Sequence, residues 1–186
     1  MDSEHAKALN AGVTTSRLVL EPCTSAHAAL MFGAMQDPEI YRWISMVPPT
    51  SPDALADAWA RAESRRSPAG DRAWLSWIVR SAGDGTCLGW VDSEVGGCVA
   101  LNLGYVIYPS HWGRGIATEA VGAVVGHLEA HGIERHVALV TVGNTASMRV
   151  LDKLGFERTR VLVANDTIRG ELHDEIEFVR DVRRGA

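Results

Sequence analysis

The chain holds only three cysteines, Cys23, Cys87 and Cys98, an odd number with no metal-ligand spacing among them. That argues against both a disulfide framework and a zinc site, and leaves the three as buried or inert thiols. Basic charge is also short: 18 Lys and Arg face 23 Asp and Glu, giving a net charge of -5, and the densest cationic cluster is Arg61, Arg65 and Arg66. A solvated face of a mixed helix accounts for that cluster, so nucleic acid is not expected as a partner. No apolar run is long enough to span a bilayer, and Met1-Asp-Ser-Glu-His-Ala-Lys7 lacks the basic start and apolar segment of an export signal. No membrane partner is expected, and a cytoplasmic location is. Internal repeats and low-complexity tracts are missing too, and 186 residues suit one domain with a single core.

Two familiar phosphate loops are also missing. A Walker A loop needs Gly, four residues, then Gly-Lys and Ser or Thr, and no such run exists. A dinucleotide fingerprint needs a third glycine where Thr118 stands, and an acid after the next strand, which Val137–Val142 does not supply. A nicotinamide-dependent oxidoreductase is disfavoured accordingly. What is present is Tyr108-Pro-Ser-His-Trp-Gly-Arg-Gly-Ile-Ala-Thr-Glu-Ala120. Strand-favouring residues from Val99 to Tyr108 precede it, and Ile116, Ala120, Val124 and Leu128 recur after it on one helical face. A strand therefore feeds a glycine turn that opens a helix, where free N–H groups and the positive end of the dipole suit a phosphate or pyrophosphate. Gly113 and Gly115 let such a ligand approach closely. A plain tight loop is the competing reading of the two glycines.

Along the rest of the chain, residues 1–14 read as a flexible arm and 15–186 as one domain. Arg17–Glu21 is a first strand. Thr24 or Ser25 caps a helix through His27 to Met35, Asp37-Pro38 opens a short helix through Trp43, and Ser51-Pro52 opens another to about Arg66. Trp74–Arg80 and Cys87–Val91 form a hairpin around Gly83-Asp-Gly85. After strand 99–108 come a helix over 115–131, a strand over 137–142, a helix over 145–154 and a strand over 156–163. A turn at Asn165-Asp166 and a last strand over 172–181 complete the pattern. Antiparallel hairpins followed by a right-handed crossover make the class α+β, a mixed sheet of about seven strands flanked by helices.

The order of three segments carries more than any one of them. Gly104-Tyr-Val-Ile-Tyr-Pro109 runs into Trp112-Gly-Arg-Gly-Ile-Ala-Thr-Glu-Ala120, followed by Asn144-Thr-Ala-Ser-Met-Arg-Val-Leu-Asp-Lys-Leu-Gly-Phe156. This order resembles the GNAT superfamily of acyl-CoA-dependent N-acetyltransferases. Thr15-Ser-Arg-Leu-Val-Leu20 and Asp37-Pro-Glu-Ile-Tyr-Arg-Trp43 extend the resemblance to the Rim-type, ribosomal-protein N-acetyltransferase-like branch, over nearly all of the chain from about residue 15. It implies a splayed central sheet and acetyl-CoA as acyl donor, with no metal. The CoA pyrophosphate would rest on Gly113, Arg114, Gly115, Ile116, Ala117 and Thr118, and the pantetheine arm would pair with the strand edge at Val106 and Ile107. Trp112 departs from the Gln or Arg that usually opens this loop, which leaves the backbone donors untouched. Asn144 and Ser147 suit the start of a helix as cap and first-turn residue. By resemblance they also meet the cofactor, with Ser147 at the position that contacts the CoA sulfur and protonates the departing thiolate. Many relatives use a tyrosine for this, and none stands at that position.

Amide formation from a thioester needs a neutral amine, a donor for the oxyanion and an acid for the thiolate. The expectation is direct transfer in a ternary complex, with the Ile107 N–H as oxyanion donor, Ser147 as acid and Glu94 as base. Asp92, His111, His173, Asp174, Glu175 and a relayed water are the other bases considered. Tyr41, Trp43 and Trp90 are either acceptor-cleft or core aromatics. The expected acceptor is a primary amine, either a protein N-terminus or a small molecule, and assembly as a homodimer stays open. The competing reading is a non-catalytic acyl-CoA-binding sensor.

Overall fold

In the segment Ala73–Ser81 the side chains of Ala73, Leu75, Trp77 and Val79 are buried at every second position, which is the period of a strand with one face in a core. Ile78 between them is buried as well, against a second core on the other face of the sheet. Each fully buried side chain of this size contributes about 1.5–3 kcal/mol, so this strand anchors the molecule from both sides. The computed structural model describes residues 3–182, and they build one mixed sheet of eight strands. The strands are β1 Val13–Thr14, β2 Leu18–Pro22, β3 Ala73–Ser81, β4 Cys87–Gly96, β5 Val99–Ile107, β6 Arg135–Thr141, β7 Glu157–Ile168 and β8 Glu171–Asp181. Their spatial order is β1-β2-β3-β4-β5-β6-β8-β7. The helices are α1 Ser3–Leu9, α2 Ala28–Phe32, α3 Pro52–Ala62, α4 Ile116–Ala130 and α5 Thr145–Lys153. One core gathers α1, α4, α5 and the sheet face that carries Leu75, Trp77, Val91 and Phe178. The other packs Met31, Met35, Tyr41, Leu55, Ile78 and Trp90 beneath α2, α3 and the 3-10 turns around them.

The α+β mixed sheet is the expected architecture, with one strand more than the seven read from the sequence. The extra one, β1, pairs through Val13 and Thr14 alone, too short for a period to register. Residues 1–14 are not a loose arm where they are described; residues 1 and 2 lie outside the described range. Ala6 and Leu9 of α1 are fully buried, and the Trp77 indole N–H donates to the Ala11 carbonyl at 2.9 Å. Two apolar residues in one helical turn are too few to stand out against a polar background. The end of the domain, residues 183–186, is likewise outside the described range.

The segment 25–36 is broken into a 3-10 turn, α2 and a second 3-10 turn rather than one helix. Asp37 caps the 3-10 turn Pro38–Arg42, accepting from the Glu39 N–H, and Ser51 caps α3 through the Ala54 N–H. The turn expected at Asn165-Asp166 lies instead at Arg169-Gly170, where both residues have positive φ, 53° and 84°. Asn165 and Asp166 sit in a register shift between Leu162 and Asp166, with Ala164 at φ 49°. Residues that tolerate tight turns serve equally well in a β-bulge, which is why the local signal misplaced the corner.

Two irregularities position the site. β5 and β6 are the parallel pair of the sheet, and they are registered only at Val99–Arg135 and Ala100–His136. Beyond Ala100 the strands part. On its other edge β5 stays paired with β4, but two residues, Asn102 and Leu103, oppose Ser93 alone, and Asn102 takes φ 50°. Such a bulge bends the strand and re-aims the residues beyond it.

Candidate active site

A cleft of about 560 Å³ fills the gap between the parted strands. One end is the loop after β5. Gly113 and Gly115 have φ 73° and 74°, a region that favours glycine. Gly115 is the N-cap of α4, and it brings no side-chain cap. The first N–H groups of α4 at Ile116, Ala117 and Thr118 border the cleft as a bare anion cradle. Trp112, the unusual first residue of the loop, donates its indole N–H to the Ile107 carbonyl at 2.5 Å and so ties the loop to the strand end. Behind the loop, Arg17 donates to the Arg114 carbonyl at 3.1 Å and to Glu119 at 2.6 Å, and the Thr15 hydroxyl donates to Glu119 at 2.5 Å. Burial raises the Glu119 carboxyl, but the hydrogen bonds from Thr15 and Arg17 outweigh it and hold the group below the usual carboxylate range.

The middle of the cleft is the free edge of β5. The Tyr108 N–H donates to the Leu88 carbonyl at 2.8 Å, on the β4 side. Directions alternate along a strand, so Tyr105 and Ile107 present their N–H and C=O groups to the opposite edge, where no described strand pairs beyond Ala100. Gly89 gives an independent check. A Cβ added there would lie 1.9 Å from the Val106 carbonyl oxygen, which places that oxygen hard against β4. The Ile107 N–H therefore aims into the gap.

The opposite wall is the start of α5. Asn144 caps the helix by accepting from the Ser147 N–H at 3.2 Å. Ser147 Oγ is 2.7 Å from the Tyr105 hydroxyl, which also donates to the Ser147 carbonyl at 3.1 Å. Burial pushes Tyr105 up to about 12, against a smaller lowering by the Ser147 contact. Arg149 and, in the last turn of α5, Lys153 also line the cleft. At the far end the cleft is acidic, bordered by Glu39, Asp166 and Glu175 beside Trp43 and Met46. Glu175 is only 9% exposed, and its carboxylate accepts from the Asn165 side-chain amide at 2.6 Å. Thr141 holds Trp43 in place by donating to its carbonyl at 3.0 Å.

The fold thus brings Val106, Ile107, Gly113, Gly115, Ile116, Ala117, Thr118, Asn144 and Ser147 around one cleft. Arg114 contributes through its backbone, which Arg17 holds. Glu94 is not brought there. It pairs with Arg72 at 3.0 Å and borders a separate cavity of about 210 Å³ together with Asp92 and Arg65. The reason is register: Glu94 faces Leu101, on the other side of the β5 bulge from Gly104 and the open edge. Asp92, pushed up to about 6 mainly by burial, shares that smaller cavity. Tyr41 and Trp90 are core residues, whereas Trp43 is a wall of the cleft. Of the acids in the last hairpin, Glu175 reaches the cleft, while Asp174 accepts from the Ala164 N–H at 2.8 Å. Tyr105 is the residue that sequence reasoning missed. Its place two residues ahead of the cofactor-edge position Ile107, on the same strand face, was the available signal.

Comparison with known proteins agrees with this geometry. A model of the acetyltransferase (GNAT) domain matches residues 17–157. The uncharacterized N-acetyltransferase YoaA of Bacillus subtilis is 26% identical over 156 residues, spanning 80% of this chain and 84% of that protein. Among solved structures, RimL, a ribosomal alpha-N-protein acetyltransferase in complex with coenzyme A, has a TM-score of 0.81 at 17% identity, over 92% of this chain and 98% of its own. RimJ of Mycobacterium smegmatis, in complex with a CoA disulfide, has a TM-score of 0.77 at 23% identity, over 88% of this chain and 81% of its own. The two structures share the fold, the domain model takes in the strand, loop and helices that build the cleft, and the chain belongs to the GNAT acetyltransferase family.

Proposed function

We propose that the protein transfers an acetyl group from acetyl-CoA to a primary amine, directly and within a ternary complex. The observation that carries this reading is the unpaired β5 edge, which sets the Ile107 N–H between an uncapped helix start on one side and Ser147 on the other. Backbone donors from Gly113 to Thr118 fit a pyrophosphate, and the β5 edge at Tyr105 and Ile107 fits the amides of an extended pantetheine arm; Val106, expected to share that role, borders the cleft but turns its backbone groups to β4. RimL and RimJ, both solved with CoA species bound, support the same ligand.

The amine nitrogen attacks the thioester carbon, and the oxyanion that forms is met by the Ile107 N–H. Collapse breaks the C–S bond, with its electron pair going to sulfur beside the Ser147 hydroxyl. Glu175 takes over the role expected of Glu94, since it is the buried carboxylate that borders the cleft at its acidic end. That end also suits a cationic acceptor. An α-amine, with an ordinary value of about 8, reaches the neutral form far more readily than a lysine at about 10.4. A protein N-terminus is accordingly the favoured acceptor, in line with RimL as an alpha-N-protein acetyltransferase, and a small amine is the alternative. Such an acceptor fits a cytoplasmic enzyme.

The test is thiol release from acetyl-CoA across a panel of N-terminal peptides and small amines. Ser147→Ala and Glu175→Gln are each expected to lower kcat about 10–100-fold while CoA affinity stays within about 2-fold. Tight CoA binding with no turnover on any amine would instead establish the sensor reading.

A further inference from the structure

Tyr105 of β5 and Ser147 of α5 bring two hydroxyls to 2.7 Å on the wall of the cleft. The Tyr105 hydroxyl also lies 3.1 Å from the Ser147 carbonyl oxygen, which only accepts. One phenolic proton thus faces two acceptors, and this leaves two arrangements. In the first, Tyr105 donates to the carbonyl, and the serine proton turns back onto the phenol oxygen, away from the cleft. In the second, Tyr105 donates to Ser147 Oγ, and the serine proton is free to point at a ligand. An anion beside Ser147 selects the second, because it recruits that proton. Burial keeps the phenol protonated well past the range in which a thiol of ordinary value about 8.5 ionises. Tyr105 therefore stays a donor, and does not compete as an acid.

We propose that Tyr105 is a positioning residue for the leaving group: its O–H donates to Ser147 Oγ and turns the serine hydrogen onto the CoA sulfur as the thioester bond breaks. This rests on the acetyl-transfer reading above. In that step the amine nitrogen bonds to the carbonyl carbon and the C–S pair moves to sulfur. The proton lost by nitrogen passes through the base and ends on sulfur, giving amide and thiol with no further reactant. Ser147 thus acts as a hydrogen-bond donor to sulfur in place of the acid expected of it: neither hydroxyl gives up its proton, and the pair holds the thiolate until protonation arrives.

Tyr105→Phe, Ser147→Ala and the double variant test this. Tyr105→Phe is expected to lower kcat about 10-fold with CoA affinity within about 2-fold, and the double variant should be no slower than Ser147→Ala, because the tyrosine acts only through the serine. Losses that multiply, or a Tyr105→Phe enzyme with full kcat, would overturn the proposal. A second readout needs no acceptor: the thiol pKa of bound CoA, followed by thiolate ultraviolet absorbance, with the desulfo-CoA complex as blank for Cys23, Cys87 and Cys98. Each single variant should raise it by about one pH unit, and an unchanged value in Tyr105→Phe sinks the idea. If no amine supports turnover while both hydroxyls still set the thiol pKa, the transfer reading fails and the positioning of sulfur stands.

Discussion

His136 shows how much one side chain sets. It is fully buried on β6, and neither of its ring nitrogens has a hydrogen-bond partner among the described residues. Burial lowers it to about 4; Glu129, 3.8 Å away, pulls upward, and Arg180 pushes down again. The ring is therefore neutral in the fold. Below its ordinary value of about 6.5 the unfolded chain takes up a proton that the fold refuses until about pH 4, so stability falls across that window. The loss should approach about 3 kcal/mol by pH 4, and urea unfolding at about pH 7.5 and about pH 4.5 would measure it. His136→Leu fills a similar space without the orphaned nitrogens, and should flatten the acid limb and raise stability at neutral pH by about 1 kcal/mol. An equally steep acid limb in His136→Leu would assign the acid loss elsewhere. Tyr105 is the same kind of residue at the site: its meaning comes from which hydroxyl it meets.

At the scale of elements, the glycine loop is held by more than its own backbone. Arg17, in the turn before β2, grips the Arg114 carbonyl and Glu119 together, and so fixes the loop against the first turn of α4. The guanidinium is about half exposed, so its ion pair alone stabilises little, and its effect should fall on loop geometry. Arg17→Ala is expected to weaken CoA binding about 5–10-fold with little change in melting temperature, as isothermal titration and thermal unfolding would show. Unaltered affinity would mean the loop holds its shape unaided. The loop itself was legible in the sequence because strand, glycines and helix face are contiguous. The same is true of the Asn144 cap and the Asp37-Pro38 and Ser51-Pro52 starts, where a cap reads its own neighbours. Glu94 was misassigned for the opposite reason: which end of β4 meets the cleft depends on a bulge opposite Ser93 and on a strand pair that parts after two residues. Neither leaves a local pattern. The Tyr105–Ser147 contact spans 42 residues and is hidden from spacing in the same way.

For the whole molecule, the class followed from the alternation of hairpins with a crossover, while the placing of β8 between β6 and β7 and the start of the chain did not. α1 closes the core over β3 and α4. Leu9 is fully buried, its carbonyl accepts from His127 Nε2 at 3.0 Å, and Asn10 donates to the Ser76 carbonyl at 3.1 Å. His127 lies in the last turn of α4, far along the helix from the glycine loop at its start. Removing α1 should therefore cost stability without reshaping the cradle. Leu9→Ala alone removes a fully buried side chain, worth about 2–5 kcal/mol, and deletion of residues 1–11 adds the lost partners of Trp77 and His127. Both variants are expected to unfold at lower urea concentration, the deletion more so, while CoA affinity of the folded fraction, titrated at low temperature, stays within about 2-fold of the full chain. A deletion variant as stable as the full chain would mean that α1 rests on the core without closing it. A folded deletion variant with impaired CoA binding would mean instead that the core beneath β3 and the cleft beyond Ala100 are mechanically one unit. The splay makes the first set of outcomes the expected one, because strands that no longer pair pass little strain across the gap.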